Sequence, residues 1–385
     1  MIYLDNNATT QIDPEVLEKM IILMKEVYGN PSSLHSVGLK ARNLINDGKV
    51  FIADTLKCSP DELYFTSGGT ETNNIAINGL MRNSINNNGS MLFSMIEHPS
   101  VKGMFFKNLK KKGFSGEIIQ VDNQGLIMMN DLKEKLKDNV SLVTVMHGNN
   151  ETGVIEPVEE ISLLCDKKNI SFHVDAVQTF GKIPVDLSRI RATSMSASSH
   201  KIYGPKGTGL LFLRKPVEIE PLFFGGHQQD GLRVGTENVI GILGFIEAFK
   251  ISCEKMKNEE IRLNKMRGKF ENIIKNSLDD IFILSEKTRR IPGTSNICFK
   301  DLKSRRILDK LNDFEICCSA GSACAENRSV YETHSPVLDA MNVPKEYING
   351  CIRFSFGRFN MEEDYEFTTE KLINIINSFR KQSMI

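Results

Sequence analysis

The chain lacks an excess of either charge. Lys+Arg and Asp+Glu each number 48 in 385 residues, so the formal net charge is zero. That balance gives no electrostatic reason to expect a nucleic-acid partner. No apolar run approaches the ~18 residues that a membrane-spanning helix needs. Met1-Ile-Tyr-Leu-Asp5 is too short and too soon acidic for a secretory leader. The eight cysteines are irregularly spaced, which does not suggest a disulfide scaffold. Tryptophan is absent, and nothing follows from that. The expectation is a soluble, cytoplasmic protein of 43.3 kDa, large enough for two domains. The short run Lys110-Lys-Lys112 reads as a solvated loop.

What is present is an alternation of apolar strands and amphipathic helices. Asp13-Pro14-Glu15 is a helix start, with an N-cap acid and proline at the first helical position. Helical periodicity runs to about residue 28, and a second helix is predicted over 35–56. Strands are predicted at 62–65, 90–96, 117–121, 140–146, 170–174, 193–197 and 209–213. Helices fall between several of them, at 70–82, 100–112, 131–136 and 157–168. This alternation argues for an α/β protein with a mostly parallel sheet. A long helical stretch over 237–276 leads to a smaller mixed region. There, strands are predicted at 281–284, 295–299, 316–318 and 352–355, and helices at 303–312 and 362–379. The domains are placed at 14–250 and 251–385, with residues 1–13 packing against the second.

Chemistry concentrates in a few segments. Ser196-Ala-Ser-Ser-His-Lys-Ile-Tyr-Gly-Pro-Lys-Gly-Thr-Gly209 is a poor surface helix and a good tight turn. With His173-Val-Asp-Ala-Val-Gln178 it looks like a pyridoxal-phosphate site. Lys201 would form a Schiff base with the cofactor aldehyde, and Asp175 would pair with the pyridine nitrogen. Alone, such a lysine is more often a solvated residue and such an aspartate a turn or cap residue. Ser67-Gly-Gly-Thr-Glu-Thr-Asn-Asn74 follows a strand and opens a helix, a place for a phosphate with Gly69 and Thr70 as contacts, or else merely a capped helix. His98 ends a strand in Ile96-Glu-His-Pro-Ser100, where it can stack on a cofactor ring and move protons near neutral pH as a catalytic residue, or be simply structural. Asn150 and Gln178 could donate to the cofactor's phenolic oxygen. Arg353 could clamp a substrate carboxylate, although a surface salt bridge is the commoner role.

Cys165, Cys253, Cys298 and Cys351 read as small buried hydrophobes. Cys58 reads as loop-exposed, and Cys317 and Cys318 as one core residue and one on the opposite face. Cys324 differs, because small polar residues surround it in Ser319-Ala-Gly-Ser-Ala-Cys-Ala-Glu-Asn-Arg328. There thiolate chemistry is feasible. Cys317, Cys318 and Cys324 lack zinc-ligand spacing, so no metal is expected.

These motifs, with Tyr3-Leu-Asp-Asn-Asn-Ala-Thr-Thr10, Tyr28-Gly-Asn-Pro-Ser-Ser33, Asn149-Asn-Glu-Thr-Gly153, Gly235-Thr-Glu-Asn238, Gly321-Ser-Ala-Cys324 and Ile352-Arg-Phe-Ser355, cover nearly the whole chain. Together they resemble the NifS/IscS-like cysteine desulfurases, class V aminotransferases within fold-type I. The resemblance implies a large domain with a mostly parallel seven-stranded sheet between helices, plus a smaller α+β domain carrying the cysteine loop. It implies pyridoxal 5'-phosphate on Lys201, Asp175 at the ring nitrogen, and His98 on the ring. It places Asn150 and Gln178 at the ring oxygen and Gly69, Thr70, Ser198 and His200 at the phosphate. Thr236 would complete the phosphate site from a second subunit, so a homodimer is implied. Arg353 would bind the carboxylate of L-cysteine, and Cys324 would take its sulfur as a persulfide. The sulfur would pass to an acceptor protein, an iron–sulfur scaffold or a tRNA-thiolation enzyme. The alternatives are a selenocysteine lyase, a small-amino-acid aminotransferase and a non-catalytic sulfur-relay subunit. After Cys324 the chain reads Ala-Glu-Asn-Arg, where many relatives carry a Ser/Thr-rich sequence.

Overall fold

The computed structural model describes residues 1–83, 89–321 and 335–383. A short strand, β1 (Ile2–Tyr3), precedes helix α1 (Pro14–Glu26). Asp13 caps α1 by accepting the N–H of Glu15, and Pro14 fills a position where no donor is needed. Helix α2 (Ser36–Leu56) is capped by His35, which accepts from Gly38, and it ends at Lys57 in the left-handed conformation. There follow β2 (Leu63–Thr66), α3 (Gly69–Arg82), β3 (Ser90–Ser94), α4 (Pro99–Met104), β4 (Ser115–Ile119), α5 (Met129–Lys135) and β5 (Val140–Met146). Next come α6 (Val158–Asp166), β6 (Ser171–Asp175), β7 (Ser194–Ser198) and β8 (Gly209–Leu213). Helix α7 (Val239–Ser277) is a single element of 39 residues. The remainder is β9 (Ile281–Ile283), β10 (Thr294–Phe299), α8 (Ser304–Asn312), β11 (Ile316–Cys317), α9 (Pro336–Ala340), α10 (Lys345–Ile348), β12 (Cys351–Ser355) and α11 (Glu362–Ser383).

Seven strands form one sheet in the order β2-β8-β7-β6-β5-β3-β4. Strand β8 runs antiparallel to both its neighbours, and the other pairings are parallel. Every residue of β2, β3, β7 and β8 is buried, as expected where helices cover both faces. The mostly parallel α/β sheet is the one expected from the sequence. A second, antiparallel sheet has the order β12-β10-β9, and β1 pairs in parallel with β11. The first half of α7 packs Phe245, Ile246 and Phe249 into the core beside the large sheet. Its second half gives Leu263, Met266, Phe270 and Ile274 to a separate cluster that also holds Leu4, Ile352, Phe354 and Leu372.

Each predicted strand is found, displaced by no more than two residues at an end. The helices differ more. The stretch predicted over 100–112 is helical but not uniform: α4 widens into a π-helical turn over Phe105–Leu109 and tightens over Lys110–Lys112. Adjacent residues on a regular helix diverge, yet here Phe105 and Phe106 both reach Phe93, at centroid distances of 5.1 and 5.8 Å. Lys110, Lys111 and Lys112 are exposed on a helical turn rather than in a loop. Helices α9 and α10 were not predicted, although Ser335-Pro336 is a cap signal, because five and four residues carry no periodicity.

The cysteines require correction. Cys298 and Cys351 are buried but not free: strand register sets them opposite one another, and they form a disulfide. Their separation of 53 residues hides that pairing from the sequence. Cys253 is half-buried rather than buried, and Cys317 and Cys318 are both half-buried. Cys58 packs against the core instead of lying exposed, and burial pushes its thiol up to about 12. Cys324 lies outside the described residues. Among the described residues, no helix is long and apolar enough to cross a membrane.

Candidate active site

Strands β2, β3, β5, β6 and β7 bring their carboxyl ends to one edge of the sheet, where open α/β sheets place ligands. The turn from β2 to α3 is built on glycine. Gly68 has φ 152°, and a Cβ on Gly209 at the start of β8 would stand 2.6 Å from the Gly68 Cα. A Cβ on Gly69 would meet Val177 at 2.6 Å. Helix α3 therefore presents the donors of its first turn to the space beyond. Ser198, closing β7, faces the same space, and its buried Oγ has no partner among the described residues. An unpaired hydroxyl beside a helix N-terminus fits a phosphate.

A cavity of about 190 Å³ opens at this edge. Lys201 reaches it from a tight turn, Ser199–Lys201, directly after β7. Its Nζ donates to the carbonyls of Asn7 (2.6 Å) and Ala8 (2.7 Å). Asp175, the last residue of β6, is held at both oxygens: Val177 N donates to Oδ1 at 3.0 Å and Asn73 Nδ2 to Oδ2 at 2.7 Å. His98 caps α4 through Nδ1, which accepts the N–H of Ser100 at 3.1 Å. Burial lowers the His98 pKa, against the opposing charge of Asp175, so a neutral ring is favoured. His200 is pushed down to about 4 by burial first and then by Lys201. Its Nδ1 lies 3.1 Å from the Thr9 hydroxyl.

The opposite wall comes from the second cluster and the N-terminal segment. Arg353, in β12, is 1% exposed. It donates to Asp5 Oδ1 at 2.6 Å and to the Asn150 carbonyl at 2.9 Å, and its buried Nε has no partner among the described residues. Gln178 donates to the Asn7 carbonyl at 2.9 Å and accepts from Lys182 at 3.3 Å. Burial, with the charges of Lys201 and Arg353, pushes Lys182 down to about 7.

Gly69, Thr70, His98, Asn150, Asp175, Gln178, Ser198, His200, Lys201 and Arg353 thus line one cavity. Thr236 does not: it is exposed, in the segment before α7. Sequence reasoning missed Asp5, Asn7, Ala8, Asn73 and Lys182. The Tyr3–Thr10 motif carried a signal for the first three, without saying which atoms they would serve. An amine, a doubly anchored carboxylate, a neutral imidazole, a guanidinium and a phosphate-sized turn fit pyridoxal phosphate together with an amino acid.

Comparison with known proteins agrees. Residues 2–367 match the aminotransferase class-V family. The cysteine desulfurase IscS of Dictyoglomus turgidum is 38% identical over 380 residues, which is 98% of this chain and 95% of that protein. A solved NifS-like protein superimposes with a TM-score of 0.91 at 34% identity, covering 98% of this chain and 99% of its own. SspA, solved in complex with cysteine, gives a TM-score of 0.82 at 31% identity over 94% of this chain and all 100% of its own. By this match along almost its whole length, and by the sheet and cavity described above, the chain belongs to the aminotransferase class-V family of fold-type I pyridoxal-phosphate enzymes.

Proposed function

We infer that this chain is a cysteine desulfurase, converting L-cysteine to L-alanine and taking the sulfur onto Cys324 as a persulfide. The observation that carries the reading is the convergence of Lys201, Asp175, His98 and Arg353 on one cavity. Full-length likeness to cysteine desulfurases favours this activity over a selenocysteine lyase, an aminotransferase or a non-catalytic relay subunit.

When bound, the cofactor supplies an aldehyde that captures an amine and a ring that stores electrons. Gly69, Thr70, Ser198 and His200 would hold its phosphate, and Thr236 would complete that site from a second subunit. Asp175 would pair with the ring nitrogen, Asn150 and Gln178 with the ring oxygen, and His98 would stack on the ring. Lys201 Nζ removes the substrate α-proton, and Arg353 holds the substrate carboxylate. The Cys324 thiolate attacks the substrate sulfur. The carbon–sulfur bond breaks and its electron pair stays with the β-carbon, which takes a proton; Lys201 returns a proton to the α-carbon, and alanine leaves. An acceptor protein, an iron–sulfur scaffold or a tRNA-thiolation enzyme, then removes the sulfane sulfur. The working form is a cytoplasmic homodimer. Each subunit is divided into a 14–250 domain and a 251–385 domain, with residues 1–13 joined to the second.

The test uses purified protein supplied with pyridoxal phosphate. Lys201→Ala is expected to lose the visible absorption band and all turnover. Cys324→Ala is expected to keep the band and respond to cysteine, yet release no sulfide. Sulfide from Cys324→Ala at the parental rate contradicts the nucleophile assignment, and an unchanged band in Lys201→Ala contradicts the lysine assignment.

A further inference from the structure

One buried amide joins two of the cavity's side chains. Asn73 lies on α3 and is 1% exposed. Its Nδ2 donates to Asp175 Oδ2 at 2.7 Å and to Ser100 Oγ at 2.9 Å. The carboxylate accepts only, so the amide's orientation is determined. Asn73 Oδ1 faces His173 Nε2 at 3.0 Å, so that nitrogen carries the hydrogen. His173 Nδ1 is left to accept from the Ser194 hydroxyl at 2.8 Å. Burial pushes His173 down to about 4, consistent with the neutral tautomer these partners require.

The other arm reaches His98. Ser100 Oγ accepts from Asn73 and lies 2.8 Å from His98 Nδ1, which already accepts the Ser100 N–H. The serine hydroxyl therefore donates to Nδ1, and a neutral His98 carries its hydrogen on Nε2. By contrast, Thr72, the residue before Asn73, bonds the carbonyl of Gly68 and the hydroxyl of Thr66, so it serves the helix turn alone.

We propose that Asn73 is a positioning residue that fixes, through one side chain, both the carboxylate that would pair with the cofactor's ring nitrogen and the histidine that would stack on its ring. The proposal rests on the reading that this cavity holds pyridoxal phosphate. Asn73 Nδ2 and Val177 N anchor one oxygen each, which restrains rotation of the Asp175 carboxylate plane. The Ser100 arm holds the imidazole in a single tautomer. The charged and titratable groups facing this network are Asp175 and His173 on β6, Glu97 before α4, Lys102 on α4 and Lys201 after β7. Glu97 is pushed well above the usual carboxylate range by burial and then by Asp175.

Two variants test it, in protein loaded with pyridoxal phosphate. Asn73→Ala removes both donors. It is expected to lower kcat about ten- to a hundredfold with little change in KM. Asn73→Asp keeps the shape and replaces a donor by a second negative charge beside Asp175. The pH midpoint of its cofactor absorption band, measured without substrate, is expected to rise by about half a unit or more. Variants with the parental midpoint and parental kcat overturn the proposal. So does a fall in melting temperature with spectrum, midpoint and kcat unchanged, which assigns Asn73 to structure alone. If Asn73→Ala does not fold, the isosteric Asn73→Asp decides by the same readings. An unsubstituted protein that forms no cofactor band instead overturns the cofactor reading.

Discussion

A guanidinium buried to 1% exposure needs partners, and among the described residues Arg353 donates to two, Asp5 and the Asn150 carbonyl. Its Nε has no partner among the described residues, and in the proposed function the donors it leaves over hold the substrate carboxylate. A lysine would keep the charge but lose the planar fork. Arg353→Lys is therefore expected to raise KM for cysteine about tenfold or more while the cofactor band stays, since a hydrogen bond to a charged group contributes about 1.5–3 kcal/mol. Initial rates across cysteine concentrations measure this, and an unchanged KM contradicts it. At this scale the sequence was uneven to read. Lys201 was marked by the serine, glycine and proline residues around it and His98 by the proline and serine that follow it, whereas Asp175, in Phe172-His-Val-Asp-Ala-Val177, was read only jointly with the lysine segment. Asp5 and Asn73 were not legible, because the residues they orient lie 348 and 102 positions away.

Among elements, the turn from β2 into α3 depends on the neighbouring strand β8. A Cβ on Gly209 would press on backbone, at 2.6 Å from Gly68 Cα and 2.7 Å from Gly68 C, so no side-chain rotation relieves it. Gly209→Ala is expected to displace the first turn of α3 and weaken cofactor binding at least about tenfold, as a misplaced anion site loses its charge-assisted hydrogen bonds. Titration of the visible band measures the affinity, and a parental value contradicts the role given to this turn. The strands and long helices were legible from apolar periodicity and from caps such as Asp13. The π turn over Phe105–Leu109 was not, because it follows from two phenylalanines meeting a third on β3. The Cys298–Cys351 disulfide was missed for a related reason: it depends on which residues face each other across β10 and β12.

In the whole molecule, the site belongs to neither hydrophobic cluster alone. The large sheet supplies Asp175, Ser198 and Lys201, while Arg353 sits on β12, whose Ile352 and Phe354 pack in the second cluster. The N-terminal segment threads between them, with Asp5 on Arg353 and the carbonyls of Asn7 and Ala8 on Lys201. The alternation of elements made the α/β class legible. Strand order and the antiparallel β8 were not read from local pattern, since they depend on pairings between distant segments. The most direct test of the desulfurase assignment is to quantify alanine and sulfide together, from the purified protein given pyridoxal phosphate, L-cysteine and a reducing thiol. Equal amounts of both, rising linearly with enzyme, are the expected result. A yellow, cofactor-loaded protein that makes neither, or alanine without sulfide, would contradict it.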